Sequence, residues 1–189
     1  MNQWNIVHFR NVSPGQMEDP QVRTKAAVVY SAMKVKRAEI IEAALSVEGI
    51  LDQVLLDLFV GRDTSKREWL TELVLAAEFC TSLQKWKMLQ RLMAAVPSYF
   101  TLLSDSDGKI LRKEIHQLIN DRNKFAHGDL FVTVSENYAV DLRYQENGTQ
   151  YLRITEQAVT ESLSRAWRCR ETLWKLHSNF GTDLQTAVL

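Results

Sequence analysis

From Val22 onward, apolar residues recur at helical spacing: Val22, Ala26, Val29, Met33, Ile40, Ala44, Val47, Leu51, Leu55 and Leu58. The steps alternate between three and four, apart from a basic gap at Lys36-Arg37, and this period predicts an amphipathic helix. Asp19-Pro20 reads as an N-cap followed by proline at the first helical position. Gly61 reads as the stop. The pattern predicts one helix of about 40 residues, or two with a break between Lys34 and Arg37. At 1.5 Å per residue a single piece reaches about 60 Å. That is longer than a compact bundle needs, which leaves an excess to pack on a second subunit.

Further along, Ser65-Lys66-Arg67-Glu68 fits a capping box. Helical segments follow over Lys66 to Glu78 and over Ser82 to Val96, the latter ending before Pro97. Ser104 to Gly108 has turn chemistry, and Lys109 to Ala126 is helical again, with Gly128 as C-cap. The period then changes to two. Tyr138, Val140, Leu142 and Tyr144 alternate with Ala139, Asp141, Arg143 and Gln145, the pattern of a half-buried strand. Asn147-Gly148 is the strongest hairpin turn in the chain. Tyr151 to Ile154 is the expected returning strand, with Phe131 to Val134 as a possible third. Thr155 caps a last helix whose apolar side carries Leu163, Trp167, Trp174 and Leu176. The expected fold is all-α: an antiparallel helical bundle of four to five helices, with a small β-hairpin inserted before the last. One domain spans 1–189, with 1–18 an irregular segment and 129–154 the hairpin insertion.

Composition narrows the class. With 189 residues, 46% of them apolar, the chain can bury a sizeable core. Lysine plus arginine balances aspartate plus glutamate at 23 each. Any nucleic-acid contact must therefore come from a local patch. The two cysteines, Cys80 and Cys169, are expected to be buried and reduced. Met1 to Arg10 lacks the apolar run of a signal peptide, and no stretch reaches the ~18 apolar residues that span a membrane. A soluble, cytoplasmic protein without membrane contact is the expectation.

The helix ending at Ala126 carries the candidate chemistry. Its apolar stripe is Leu111, Ile115, Leu118 and Phe125, and Arg122 occupies the position between the last two. A guanidinium on a core stripe is costly unless it is paired or lines a cleft. Arg122 is thus either a buried ion-pair anchor or a cleft arginine facing an anion, a role suited to its planar, permanently charged fork. His127 follows five residues later, about 140° away on an ideal helix. Unwinding at Gly128 would let the two converge; so would two such helices meeting end to end in a dimer. A histidine at a helix C-terminus suits proton transfer near neutrality.

Ile119-Asn120-Asp121-Arg122-Asn123-Lys124-Phe125-Ala126-His127-Gly128 resembles the signature of the HEPN superfamily, an arginine followed after four to six residues by a histidine, often with a polar residue next to the arginine. The resemblance extends loosely over 20–179, through the long acidic first helix with Glu39, Glu42, Glu48 and Asp52. It implies a homodimeric helical bundle with a composite active site that cuts RNA without metal, leaving a 2′,3′-cyclic phosphate. By that resemblance Arg122 and His127 are catalytic, Asn123 supports them, and Lys124 and Arg112 bind RNA. The setting it implies is a toxin or phage-defence effector, with an antitoxin or regulatory protein as a further partner. No cofactor and no metal are expected. Asp129 stands where related toxins that are silenced by modification carry a tyrosine, so that form of control is not expected.

The alternative is a non-enzymatic HEPN-like module that binds nucleotide or RNA, or dimerises, through the same cleft. A third possibility is a structural dimerisation domain in which Arg122 is an ion-pair anchor. His8, His116 and His177 are too scattered for a metal site. Glu48 or Asp52 is a candidate partner for Arg122. Trp69, Trp86, Trp167 and Trp174 sit at helical core spacing and are expected to be packing residues rather than base-stacking platforms.

Overall fold

A computed structural model describes the backbone of residues 7–78, 80–95 and 105–186, and side chains as far as Ser178. Pro97 and Ser104 lie outside the described residues. The described chain is mostly helical, with a small four-stranded sheet. The elements run β1 (Phe9–Arg10), α1 (Pro14–Glu18), α2 (Pro20–Val60), α3 (Thr64–Leu70), a π-helical turn (Thr71–Leu75), α4 (Ser82–Ala95), α5 (Asp105–His127), β2 (Asp129–Thr133), β3 (Ala139–Gln145), β4 (Thr149–Ile154) and α6 (Glu156–Thr186). They divide into two units. One combines 7–42 with 120–163, and the other takes 43–119 and the chain from Ser164 onward. α2, α5 and α6 each supply residues to both.

α2 is one unbroken helix of 41 residues. No further proline occurs within it, so nothing removes a backbone donor along its length. The basic gap is no break. Arg37 Nη2 donates to the carbonyl of Ala126 at 3.0 Å, satisfying one of the orphan acceptors at the end of α5. Lys36 Nζ meets Glu156 Oε2 at 2.6 Å at the start of α6. Gly61 ends the helix in the left-handed region, φ +60°.

In the first unit, β1 runs parallel to β2, and β2, β3 and β4 pair antiparallel in that order. Asn147 and Gly148 turn between β3 and β4 with φ of 53° and 109°, as the dipeptide predicts. The segment expected to be irregular supplies β1, whose two residues are too few to show a period. One sheet face packs Leu130, Val132, Val140, Leu142 and Ile154 against Ala26, Tyr30 and Ile40 of α2, Phe125 of α5 and Val159 of α6. Asp141, read as an outward residue, is also buried. It accepts from Thr133 Oγ1 at 2.9 Å and Arg153 Nε at 2.6 Å, with Arg10 Nη1 at 3.7 Å. A buried carboxylate is tolerable when donors surround it like this, and the group ties β1, β2 and β4 to β3.

The second unit is built on Val54, Leu55, Leu89, Ile115, Cys169 and Leu173. Its helix starts depart from expectation. Asp63, not Ser65, caps α3, accepting from the Lys66 amide at 3.1 Å. That amide bond holds the Asp63 carboxyl below its usual range. Thr81 and Gln84 form the reciprocal box at the start of α4. α5 begins at Asp105, so the described part of the expected turn, 105–108, is instead a first helical turn, with Asp107 at its positive end. Both cysteines are free and buried as expected, and burial pushes the Cys169 thiol up to about 12.

Lys85 is buried at 4% exposure. Its ammonium sits 2.9 Å from both Glu48 Oε1 and Asp52 Oδ2, and Ser82 Oγ donates to Glu48 Oε2. Burial alone would lower the pKa of Lys85, but the hydrogen bonds to the two carboxylates outweigh it and raise it above 10.5. A lysine whose folded pKa is raised stabilises below its unfolded pKa and loses that contribution as pH climbs through the folded value. Urea denaturation from pH 9 to 12 should therefore show a steeper stability loss above pH ~10.5 in the wild type than in Lys85→Met. Parallel curves would mean that the lysine is not held by its carboxylates.

Gly128 does not end α5 by a left-handed turn. A Cβ there would lie 2.7 Å from Leu142 Cδ1, 2.7 Å from the Lys124 carbonyl oxygen and 2.9 Å from that of Arg143. The glycine is required by the close approach of the helix end to β3. Gly128→Ala should cost about 1–3 kcal/mol by overpacking, read as a fall in the urea midpoint. An unchanged midpoint would show that the helix end and strand can part at no cost.

Candidate functional site

The last two turns of α5 carry Arg122, Asn123, Lys124 and His127, and helical geometry persists through His127. Gly128 seats this helix end on β3. The end of that strand and the turn after it supply Tyr144, Gln145 and Glu146, which face Asn120, Asn123, Lys124 and His127 across a cleft of about 340 Å³. All of these residues belong to the first unit. Three of the residues expected in the site therefore share one cavity, and His127 and Asn123 are exposed to solvent.

Lys124 Nζ lies 3.0 Å from Glu146 Oε2 and 4.7 Å from the centre of the Tyr144 ring. Burial works to lower its pKa, but the bonds to Glu146 and Tyr144 prevail and raise it. The lysine remains charged at neutral pH, with an exposed carboxylate beside it. Asn120, Tyr144 and Glu146 were not legible as site residues. The Asn147-Gly148 turn forecasts where the strand reverses, but not which helix the reversal faces.

Arg122 is half-buried and does not line the cleft. Its Nη1 donates to Asn123 Oδ1 at 3.1 Å, while its buried Nε has no partner among the described residues. The convergence of Arg122 and His127 by unwinding at Gly128 does not occur within one chain. The helix keeps its pitch, and the two side chains leave it on different sides, as the five-residue spacing dictates. Asp121 does not serve Arg122, since it accepts from Ser162 Oγ at 2.8 Å. Glu48 and Asp52 are taken by Lys85 instead. Arg112 stands ten residues upstream, exposed, in the second unit. Asp129 pairs with Arg143 at 2.7 Å.

The tryptophans correct another expectation. Trp86 is buried, but Trp69, Trp167 and Trp174 are 63%, 65% and 53% exposed. On α6, helical spacing puts Trp167 and Trp174 in register with each other, though not on the face that the core occupies. Among the described residues no cluster of three or more His, Cys, Asp or Glu side chains is arranged to hold a metal, and no helix is long and apolar enough to cross a membrane.

Compared with known proteins, the chain matches no family model, no curated protein and no solved structure. The site is accordingly defined by its own chemistry: an imidazole, an ammonium, three amides, a phenol and a carboxylate around one small polar cleft, with a guanidinium on the adjoining helix face. Such a set can hold a phosphate-bearing ligand by charge-assisted hydrogen bonds and can move a proton at His127.

With no carboxylate on Arg122 among the described residues, Arg122→Ala should cost under about 1 kcal/mol in urea denaturation, against the ~3–5 kcal/mol of a broken buried pair. A loss in the higher range would identify Arg122 as a structural anchor.

Proposed function

We propose that this protein is a metal-independent endoribonuclease of the HEPN type, working as a homodimer with a composite active site. The observation that carries the reading is the placement of Asn123, Lys124 and His127 in one cleft, with Arg122 beside it on the same helix end, its buried Nε unmatched. The reading rests on the resemblance of the Arg122–His127 segment to the HEPN signature. It brings with it an antiparallel helical bundle with β3 and β4 as an inserted hairpin. It also brings a cytoplasmic toxin or defence role, restrained by an antitoxin or regulatory protein.

In this mechanism a phosphodiester of RNA lies in the cleft. His127 takes the proton of the 2′-hydroxyl, whose oxygen attacks phosphorus. The bond from phosphorus to the 5′-oxygen breaks, that oxygen gains a proton, and a 2′,3′-cyclic phosphate remains. Arg122 lies outside its own chain's cleft, so the guanidinium that meets the developing charge comes from the second copy. Asn123 orients Arg122 through their hydrogen bond. Lys124, steadied by Glu146, contributes to phosphate binding, with Arg112 as a further RNA contact.

A second reading is a non-enzymatic module that binds nucleotide or RNA through this cleft. It is favoured by the Glu146 carboxylate beside Lys124, which offsets the cleft's positive charge, and by the absence of Arg122 from the lining.

Wild type and His127→Ala, incubated with a mixed pool of transfer RNA and single-stranded RNA in EDTA, separate the two. The ribonuclease reading expects cleavage by wild type alone, with cyclic 3′ ends and a loss of at least about 100-fold in the variant. RNA retained uncut by both proteins on filters would support the binding module and end the enzymatic reading. Cleavage that survives in His127→Ala would remove His127 from the mechanism.

A further inference from the structure

α6 has two faces in the second unit. Ala166, Cys169, Leu173 and Leu176 are buried in the core of that unit. On the opposite side Trp167, Arg170, Glu171 and Trp174 lie within about 100° of arc and line a groove of about 240 Å³. Both indoles are more than half exposed. Two large exposed indoles flanking a groove on one helix face are the kind of feature an interaction surface uses.

The order of the four residues shows what fits there. Trp167 precedes Arg170 by three positions, and Trp174 follows Glu171 by three. The segment Trp-Arg-Cys-Arg-Glu-Thr-Leu-Trp is thus symmetric in its aromatic ends and opposite in the charges at its centre. Turned end for end about the midpoint between Arg170 and Glu171, it places Trp167 against Trp174 and Arg170 against Glu171. That is the self-complementarity required of a two-fold contact, in which one patch meets itself.

We propose that the Trp167–Trp174 face of α6 pairs antiparallel with the same face of a second copy of this chain. Across the axis each Arg170 meets the Glu171 of the other copy, and each indole enters the groove between the other copy's indoles. Arg170 is available for this. Its described interaction is a stacking contact 5.8 Å from the Trp167 ring, and no ion pair to it is seen among the described residues. Glu171 holds Lys175 at 3.3 Å in an exposed pair one turn apart, the kind that contributes little and exchanges readily. The charges also argue against a polyanion. Single-stranded RNA stacked on these indoles would meet the Glu171 carboxylate as closely as the Arg170 guanidinium, whereas an identical face answers both. This contact needs neither His127 nor cleavage. It survives if the ribonuclease reading fails.

The test is mass against concentration by sedimentation equilibrium on the full chain, with circular dichroism confirming that each exposed substitution leaves the helix content intact. The wild type should pass from a monomer of 21.8 kDa to twice that mass across the micromolar range. Arg170→Glu and Glu171→Arg should each weaken association at least about tenfold, because each sets like charges opposite one another. The combined Arg170→Glu, Glu171→Arg protein should recover to within about threefold of wild type, since the pair is restored with its signs exchanged. Trp167→Ala should weaken association whatever the charges. Three outcomes overturn the proposal: a monomer at every concentration, a dimer indifferent to both single exchanges, or a double exchange that adds the two losses. A monomeric wild type that binds single-stranded RNA, and loses that binding in Trp167→Ala, would assign the face to nucleic acid instead.

Discussion

Close contact between the last turn of α5 and strand β3 governs the site. No side chain fits between them, so position 128 is glycine, and the helix stays regular through His127 while resting directly on the strand. The cleft follows from that contact. The strand's far end and its turn carry Tyr144 and Glu146 up beside Asn123, Lys124 and His127. Arg37 of α2 reinforces the arrangement from the other side by occupying the Ala126 carbonyl, one of the acceptors that a helix end leaves open.

Charges that look out of place along the chain prove to be structural fasteners. Asp141 is held under Arg153 and Arg10 with Thr133, which secures a two-residue strand that backbone pairing alone would hold weakly. Lys85 meets one carboxylate oxygen each of Glu48 and Asp52 inside the other unit. In each case a charge sits in low-dielectric surroundings only because opposite charge and hydrogen bonds meet it there. Arg122 lacks that kind of partner. Its half-buried guanidinium has one neutral bond, to Asn123, and an unmatched Nε. Asp52 Oδ1 is likewise unmatched, but Asp52 has the Lys85 charge against its other oxygen; the lack of any opposite charge on Arg122 among the described residues gives the Arg122–His127 segment its interest apart from any resemblance.

The face of α6 shows how periodicity misleads. Spacing of three and four places Trp167 and Trp174 on one stripe, and the stripe looks like core because the rings are large and apolar. A helix has more than one stripe, however, and the smaller residues Ala166 and Cys169 share the buried one with Leu173 and Leu176. Bulky rings left outside in this way pose a solvation problem.

Much of the secondary structure was legible because it depends on local chemistry. The long α2, the stop at Gly61, the turn at Asn147-Gly148, the strands around it and the helical segment ending at His127 follow from hydrophobic period and from backbone preferences of glycine, proline and asparagine. The chain order also brings Asn123, Lys124 and His127 close together, since one helix end carries all three. Tertiary structure decided the rest. It recruited Phe9 and Arg10 into the sheet, since two residues carry no period. It chose Asp63 over Ser65 as a cap, and it joined Lys85 to carboxylates more than thirty residues away. It brought Tyr144 and Glu146 to the cleft and kept Arg122 off the cleft wall. Period and propensity report on neighbours within a few residues; which distant groups meet, and which stripe of a helix is covered, depends on packing between segments.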